Sequence, residues 1–296
     1  MARAHRPTPQ LPEHLRTLYD RFPFERSLRE DPLSLVLPHA GDPRAAEIAG
    51  LFAAVLAIGN TTAIRGAFTA LQGRIDGDWP AFVEGAEGPA ARRAVAGFRH
   101  RWIRGDQMLH LARRLRDLYA SGETLESVFL RGMQEGAGFA GGMAAMATAL
   151  RGPDRRGRPA PPGYDRLFPS PGGPGRSPCK RLTLFVRWMV RREYPDLGLW
   201  GRVDPALLRI PLDQHVHWIA YHLGLTGRRT RSWAAVEEIT SALRAVDPVD
   251  PVRFDFVLCH TGISGDCPKE RDRAVCGPCA VRPDCLLWAR GRGAVG

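Results

Sequence analysis

Apolar residues recur at helical spacing through most of the chain. One predicted helix presents a single apolar face made of Ile48, Leu51, Phe52, Val55 and Leu56. A second predicted helix repeats the pattern with Met108, Leu111, Ala112, Leu115, Leu118 and Tyr119. Asp106 stands at the start of the second stretch, where an aspartate commonly caps a helix. Both segments are therefore predicted to be core-facing helices.

Further helices are predicted to begin near Leu125 and at Ala144, and to cover residues 180–192, 216–223, 233–246 and 252–259. No convincing run alternates apolar and polar residues, as a half-buried strand would. The predicted fold class is therefore mainly α.

Residues 151–178 break this pattern with RGPDRRGRPAPPGYDRLFPSPGGPGRSP, a stretch rich in glycine, proline and arginine. Its first half is typical of a flexible, solvated linker. Its second half runs directly into the helix predicted to begin at residue 180. A glycine-rich turn that opens a helix presents backbone N–H groups to a phosphate, so this half is a candidate binding loop.

Composition suggests a compartment and a partner. The 296 residues are 44% hydrophobic, which is enough for a substantial core. The chain has no run of about 18 apolar residues and its N-terminus lacks the apolar core of a signal peptide, so we expect a cytoplasmic protein with no membrane contact. The net charge of +11 favours a polyanionic partner. The alternative is that the arginines reflect the base composition of the genome.

Lysine is nearly absent from this basic chain. Of 42 Lys and Arg residues, only Lys180 and Lys269 are lysines. An amine can lose its proton and attack carbon, whereas a guanidinium stays protonated. Each lysine is therefore a candidate nucleophile, with chance occurrence as the alternative.

Four cysteines follow one another near the C-terminus as C-x8-C-x2-C-x5-C, at Cys267, Cys276, Cys279 and Cys285. Four thiolates from one compact loop favour a 4Fe–4S cluster, whose ligands need only surround one cube. A structural zinc site remains an alternative, although such sites usually pair two C-x2-C motifs. A thioredoxin-like dithiol at CGPC is a weaker alternative, because only 17 residues follow it. Cys259, just upstream, is predicted to be a buried apolar residue or an alternative ligand.

The cysteine spacing resembles the C-x6-C-x2-C-x5-C loop of the iron–sulfur branch of the helix-hairpin-helix DNA glycosylases, which includes endonuclease III and the adenine glycosylases. In GRSPCKRLTLFVRWMVRR, Lys180 opens a helix as the hairpin lysine of the bifunctional enzymes does, although the usual LPGVG is replaced. In IPLDQHVHWIAYHLGL, Leu-Asp-Gln-His is similar to the family's Val-Asp-Thr-His, with Asp213 at the catalytic aspartate. The blocks CKRL, RWMVR, DLGLW and PLDQHVH resemble a less-characterised subfamily.

The resemblance implies a two-part helix-hairpin-helix glycosylase fold whose C-terminal loop holds a 4Fe–4S cluster on the four cysteines. It implies a monomer that excises a damaged or modified base from double-stranded DNA, after the base has left the stack. Asp213 would stabilise the positive charge that develops on the sugar, and Lys180 would form a Schiff base and cleave the abasic strand. Burial is expected to lower the pKa of Lys180 toward neutrality.

The resemblance also implies the DNA contacts. They are assigned to Asn60, Gly172, Gly173, Gly175, Arg176, Arg181, His215, Arg271 and Arg273. Asn60 lies in LAIGNTTAI, where the glycosylases carry a loop that fills the gap left by the flipped base. An exposed residue at a helix end is the alternative for Asn60.

Three alternatives to this function remain open. Asp213 is also placed to cap the helix that follows it. The chain is alternatively a non-catalytic iron–sulfur protein that binds DNA or RNA on the same fold. A metal-dependent phosphodiesterase would instead use Asp213 with His217 and either His222 or His260.

We expect five segments along the chain. Residues 1–44 pack with the C-terminal part, 45–150 form a helical bundle, and 151–178 form the linker and hairpin-like loop. Residues 179–258 form the catalytic helical region, and 259–296 form the cluster loop.

Overall fold

A computed structural model describes residues 7–136, 138–172 and 177–290. The predicted DNA contacts Gly173, Gly175 and Arg176 lie outside these described residues. Within the described ranges the chain is mainly helical, as its apolar spacing predicts, and its strands are confined to one short hairpin.

The α-helices in chain order are α1 (Leu11–Asp20), α2 (Phe24–Glu30), α3 (Pro43–Leu56), α4 (Thr61–Arg74), α5 (Trp79–Glu84), α6 (Pro89–Ala94), α7 (Gly105–Ala120), α8 (Leu125–Glu135), α9 (Phe139–Leu150), α10 (Lys180–Val190), α11 (Gln214–His222), α12 (Trp233–Arg244), α13 (Asp255–Ile263), α14 (Arg273–Cys276) and α15 (Leu286–Arg290). Short 3₁₀ helices cover Pro32–Leu35, Leu37–His39, Tyr164–Leu167, Pro205–Leu207 and Arg282–Asp284. The hairpin pairs β1 (Arg99–His100) with β2 (Ile103–Arg104) in antiparallel register.

The chain divides into two compact units. The first unit is drawn from Met1–Ser27, Arg176–Lys180 and Pro205–Gly296. The second is drawn from Leu28–Gly175 and Arg181–Asp204. Each unit therefore contains segments that are far apart in sequence, and Lys180 belongs to the first unit although the rest of α10 belongs to the second.

The core of the second unit is built around α3, which is buried along almost its whole length. A helix that is apolar on all sides must be shielded from water, and here the rest of the unit shields it. Phe52 of α3 packs against Trp79 of α5, with 5.1 Å between ring centroids. Glu47 is the acidic exception on α3, and it accepts hydrogen bonds of 2.8 Å from both Tyr119 Oη and Trp200 Nε1.

The first unit joins the N-terminal helix to the C-terminal part of the chain. Tyr19 meets the ring of Phe254 edge to face, and Phe24 stacks on Phe256 with centroids 5.7 Å apart. Closer to the C-terminus, His14 Nδ1 lies 2.7 Å from a carboxylate oxygen of the buried Asp284. These contacts bring residues from both ends of the chain into one core.

Some predicted helix bounds were wrong. The second core-facing helix begins at Gly105 and its cap position is Arg104, so Asp106 is not the cap. Asp106 instead accepts hydrogen bonds from the Arg104 guanidinium and from the backbone N–H of Gln107. The helix predicted over residues 252–259 runs from Asp255 to Ile263, because residues 251–254 form turns that precede it. Among the described helices none is both long and apolar enough to span a bilayer.

Candidate active site

Lys180 is held by an unusual backbone turn. Cys179, directly before it, has a φ of 54°, a left-handed conformation that costs a residue with a Cβ on the order of 1–3 kcal/mol. The Cys179 backbone N–H donates to Ser177 Oγ at 3.1 Å, which closes the turn. Lys180 then becomes the first residue of α10, and its side chain remains 31% exposed.

Asp213 both caps a helix and faces Lys180. Its Oδ1 accepts hydrogen bonds of 2.8 Å from the backbone N–H groups of His215 and Val216, at the start of α11. The capping role considered from sequence is therefore real. The other oxygen, Oδ2, lies 3.5 Å from Lys180 Nζ. Because one oxygen anchors the carboxylate to α11, the second is held in place toward the amine.

Cys259 on α13 completes this group. Its Sγ donates to Asp213 Oδ2 across 3.3 Å. The thiol is half-buried rather than fully buried, and it does not belong to the pocket that the other four C-terminal cysteines share. Asp255 lies one helical turn earlier on α13 and is almost fully buried. Asp255 was not predicted as a site residue, and Cys259 was considered only as an alternative metal ligand. Their four-residue spacing was the signal that they share a helix face.

A glycine allows α11 and α13 to approach closely. A Cβ added at Gly262 would lie 2.6 Å from the Cβ of His215 and 2.8 Å from its Nδ1. Real Cβ atoms do not tolerate such distances, so the close contact requires glycine at residue 262. The predicted DNA contact His215 is thus packed against α13 on one side.

The negative charges around Lys180 decide its pKa. Burial acts to lower this pKa, but the carboxylate of Asp213, together with Cys259 and Asp255, outweighs burial and raises the pKa of Lys180 above its ordinary value. The prediction that the pKa falls toward neutrality was therefore wrong. Burial acts to raise the pKa of Asp213, yet Lys180 and the N–H of Val216 lower it overall. The resting pair is an ammonium beside a carboxylate.

The four C-terminal cysteines line one pocket. Apolar side chains form part of the wall of this pocket, namely those of Ile219, Leu223, Val281, Leu287 and Trp288, and the polar His222, Asp266 and Arg282 line it as well. Burial and the neighbouring thiols raise the pKa of Cys267 to about 12, and burial also raises the pKa of Cys279. Thiolates in this pocket would be stabilised by a positive centre among them, such as a bound metal would supply.

A zinc ion and a 4Fe–4S cluster place different demands on these four cysteines. A tetrahedral zinc ion needs four sulfurs at about 2.3 Å from one point. Among the residues that the structure describes, no group of three or more His, Cys, Asp or Glu residues is arranged to hold a metal ion. A 4Fe–4S cluster places its iron and sulfide atoms between the ligands, so its cysteines surround a larger volume.

The other predicted DNA-binding residues have varied surroundings. Arg271 stacks on the Trp288 ring at 4.3 Å, and Arg273 is the first residue of α14. Arg181 donates to the Leu167 carbonyl at 3.2 Å, and Asn60 caps α4 by accepting from the Ala63 N–H. Gly172 has a φ of 71°, which suits the turn predicted there. DNA contacts by these residues stay predictions.

The three histidines of the hydrolase alternative are engaged in different places. His217 Nε2 lies 3.0 Å from the Arg228 carbonyl, and His260 stacks against Phe256 with centroids 4.3 Å apart. His222 lines the cysteine pocket. This arrangement gives no support to a site that joins them to Asp213.

Comparison with protein families places the chain. Residues 31–264 match the family model described as "Protein of unknown function (DUF2400)". The chain belongs to this family. The matched region contains Lys180, Asp213 and Cys259 and ends before Cys267. Comparisons with curated proteins and with solved structures found no match.

Proposed function

We propose that this DUF2400 protein is a DNA N-glycosylase with lyase activity on abasic sites, acting on a damaged or modified base in double-stranded DNA. The observation that carries the proposal is the distance of 3.5 Å between Lys180 Nζ and Asp213 Oδ2. Lys180 is one of two lysines in the chain, and its partner carboxylate is anchored to α11 through its other oxygen. A partly exposed amine beside an anchored carboxylate is what Schiff-base chemistry on a sugar requires.

The proposed reaction begins with the bond between the base and C1′. As that bond breaks, its electron pair leaves with the base, and the Asp213 carboxylate stabilises the positive charge on the sugar. Lys180 must lose a proton before its nitrogen bonds to C1′, and Asp213 Oδ2, 3.5 Å from Nζ, is placed to receive it. Opening of the sugar ring gives a Schiff base. A general base then takes a proton from C2′, a C2′–C3′ double bond forms, and the 3′ phosphate leaves with the electron pair of the C3′–O bond. Water hydrolyses the Schiff base and frees Lys180.

We include a 4Fe–4S cluster in the proposal, held by Cys267, Cys276, Cys279 and Cys285. The observation in its favour is that these four cysteines line one pocket. The cluster would be mainly structural, because the same loop carries Arg271 on Trp288 and Arg273 at the start of α14. Fixing that loop would position its guanidinium groups for backbone phosphates.

Borohydride trapping tests the proposal. Anaerobically purified protein is incubated with duplexes that contain an abasic site or one of a panel of base lesions, and borohydride then reduces any Schiff base to a stable crosslink. We expect a crosslink with the unaltered protein and with Lys269→Arg, and none with Lys180→Arg. The Lys269 variant is the matched control because it removes the other lysine of the chain.

The absence of a crosslink on every duplex would overturn the lyase assignment. Release of free base by the same samples, and its loss in Asp213→Asn, would then show a glycosylase without lyase activity that depends on Asp213. If no base is released either, the alternative of a non-catalytic iron–sulfur DNA- or RNA-binding protein would replace the proposal.

A further inference from the structure

The first half of the segment predicted to be a flexible linker is an ordered, arginine-rich turn in the second unit. The buried Asp154 holds it together, because Asp154 Oδ1 accepts from the backbone N–H groups of Arg156 at 3.0 Å and Arg158 at 3.1 Å. Arg158 Nε also donates to Asp154 Oδ2 at 2.6 Å. The prediction of a flexible linker does not describe this turn.

The turn is attached to α7 at two points. The backbone N–H of Arg155 donates to Asp117 Oδ2 at 2.7 Å. Arg114 donates to the carbonyl of Pro153 at 2.8 Å and to that of Ala149. The backbone of the turn is therefore fixed without using the guanidinium groups of Arg155 and Arg156.

Five arginines gather here, and we call them the arginine cluster: Arg113, Arg116, Arg155, Arg156 and Arg158. Glu87 pairs with four of them, with N–O distances of 3.6 Å to Arg113, 3.2 Å to Arg116 and 3.4 Å to Arg156, and a close contact to Arg158.

The cluster carries more positive than negative charge. Glu87, Asp117 and Asp154 supply three carboxylates to the five guanidinium groups. Burial is the main cause that lowers the pKa of Arg113, and the positive charge of Arg158 lowers it further, whereas Glu87 and Asp154 act in the opposite direction. An anion that joined the cluster would relieve this repulsion.

The exposure of two cluster arginines favours a ligand outside the protein. The Arg156 side chain is 64% exposed, and Arg155 is exposed as well. A guanidinium group presents paired N–H donors that match two oxygens of a phosphate. Each strand of a duplex carries a phosphate about every 3.4 Å of helix axis, so arginines at consecutive positions can contact neighbouring phosphates.

We propose that the arginine cluster binds the backbone phosphates of double-stranded nucleic acid. It contains none of the residues of the Lys180–Asp213 site and is independent of the chemistry proposed there. Its contribution is to affinity without sequence preference, because phosphate contacts carry no direct sequence information.

Salt dependence of duplex binding tests the proposal. Fluorescence anisotropy would measure the affinity of the full chain for an unmodified 20-base-pair DNA duplex between about 50 and 200 mM salt. A double variant, Arg155→Gln with Arg156→Gln, removes two exposed charges and leaves the backbone bonds of the turn intact. The control combines Arg29→Gln with Arg131→Gln, two exposed arginines of the same unit that lie outside the cluster.

We expect the cluster variant to bind more weakly and to lower the slope of log affinity against log salt by about one to two, since each phosphate contact contributes about 0.9. The control variant is expected to keep the slope of the unaltered protein. Equal slopes for all three proteins, or equal losses in both variants, would overturn the proposal. Unfolding midpoints recorded on the same samples establish that each variant is folded.

Two further arms identify the ligand. A duplex RNA of the same sequence separates DNA from RNA, which share the phosphodiester chemistry, and slope loss with either duplex supports the proposal. Polyglutamate serves as a competitor. If it displaces the labelled duplex from the unaltered protein at lower concentrations than unlabelled duplex does, and the cluster variant loses this effect, an acidic protein becomes the ligand and the proposal is overturned. Glu87→Gln removes one negative charge from the cluster and should therefore strengthen duplex binding. If the cluster were purely structural, this variant would lose stability with no gain in affinity for the duplex.

Discussion

Two ion-pair groups lie at the two ends of helix α10, and they differ in exposure and in the chemistry that their cations allow. At its first residue, Lys180 meets Asp213, with side chains 31% and 10% exposed. Near its end, Arg187 and Arg191 meet Asp196 at 2.8 Å and 3.2 Å, with all three side chains at most 4% exposed. Guanidinium groups stay protonated and these are closed to solvent, whereas the amine can titrate and be reached. The contrast separates a structural ion-pair group from a candidate reactive one.

The largest expected effect is on stability, at the buried group. Asp196→Asn leaves the buried guanidinium groups of Arg187 and Arg191 without their carboxylate, which we expect to cost about 3–5 kcal/mol of unfolding free energy. Denaturant titration measures the loss. A loss below that of Asp213→Asn in the same titration would contradict the structural role assigned to this group.

Asp213→Asn should affect chemistry instead of stability. An asparagine side chain also caps a helix, so the free energy of unfolding should change by less than about 1 kcal/mol. Borohydride trapping should fall about 10²–10⁴-fold, the usual contribution of a positioned acid or base.

The same variant also has a pH signature. Asp213 raises the pKa of Lys180, so its removal should lower that pKa and increase the fraction of free amine at pH 8. Reductive methylation followed by mass spectrometry should show faster labelling of Lys180 and unchanged labelling of the exposed Lys269. Slower labelling of Lys180 would show that Asp213 does not control its protonation.

Cys259 tests how much the thiol contributes to the reactive pair. Cys259→Ala removes the hydrogen bond to Asp213 Oδ2, a contribution of about 0.5–1.5 kcal/mol, so trapping should fall by about 2- to 10-fold. Cys259→Ser keeps a donor and should restore most of the rate. Equal trapping by the alanine and serine variants would assign the thiol no role in holding the carboxylate.

The smallest expected effect is on stability, at Glu47. This buried carboxyl group accepts hydrogen bonds from two neutral donors and forms no ion pair in the structure described. Burial raises its pKa despite the hydrogen bonds from Tyr119 and Trp200. A raised folded-state pKa stabilises the protein at low pH, and this contribution is lost as pH rises through that pKa. Glu47→Gln should therefore increase the free energy of unfolding by about 1 kcal/mol or less at pH 7 and leave it unchanged near pH 4. Thermal unfolding at both pH values measures the difference, and equal effects at both would contradict it.

Periodicity predicted the helices better than their ends. Apolar spacing found the core-facing segments because burial of one face is a local property of the sequence. It misplaced the start of α7, because the Gln107 side chain accepts from the Arg104 N–H and the cap is built by that contact. The arginine-rich turn was missed as well. Its order depends on Asp117 and Glu87, which lie far from it in sequence.

Helix periodicity, residue chemistry and short spacings are local properties, so they predicted the mainly helical fold class and identified Lys180, Asp213 and the four C-terminal cysteines as candidates. Folding was needed to show that Lys180 and Asp213 lie within reach of each other, that Cys259 joins them, and that the pKa of Lys180 is raised. Those properties depend on which charges and which buried surfaces surround the amine. Three segments distant in the chain supply them, and only folding brings these segments together.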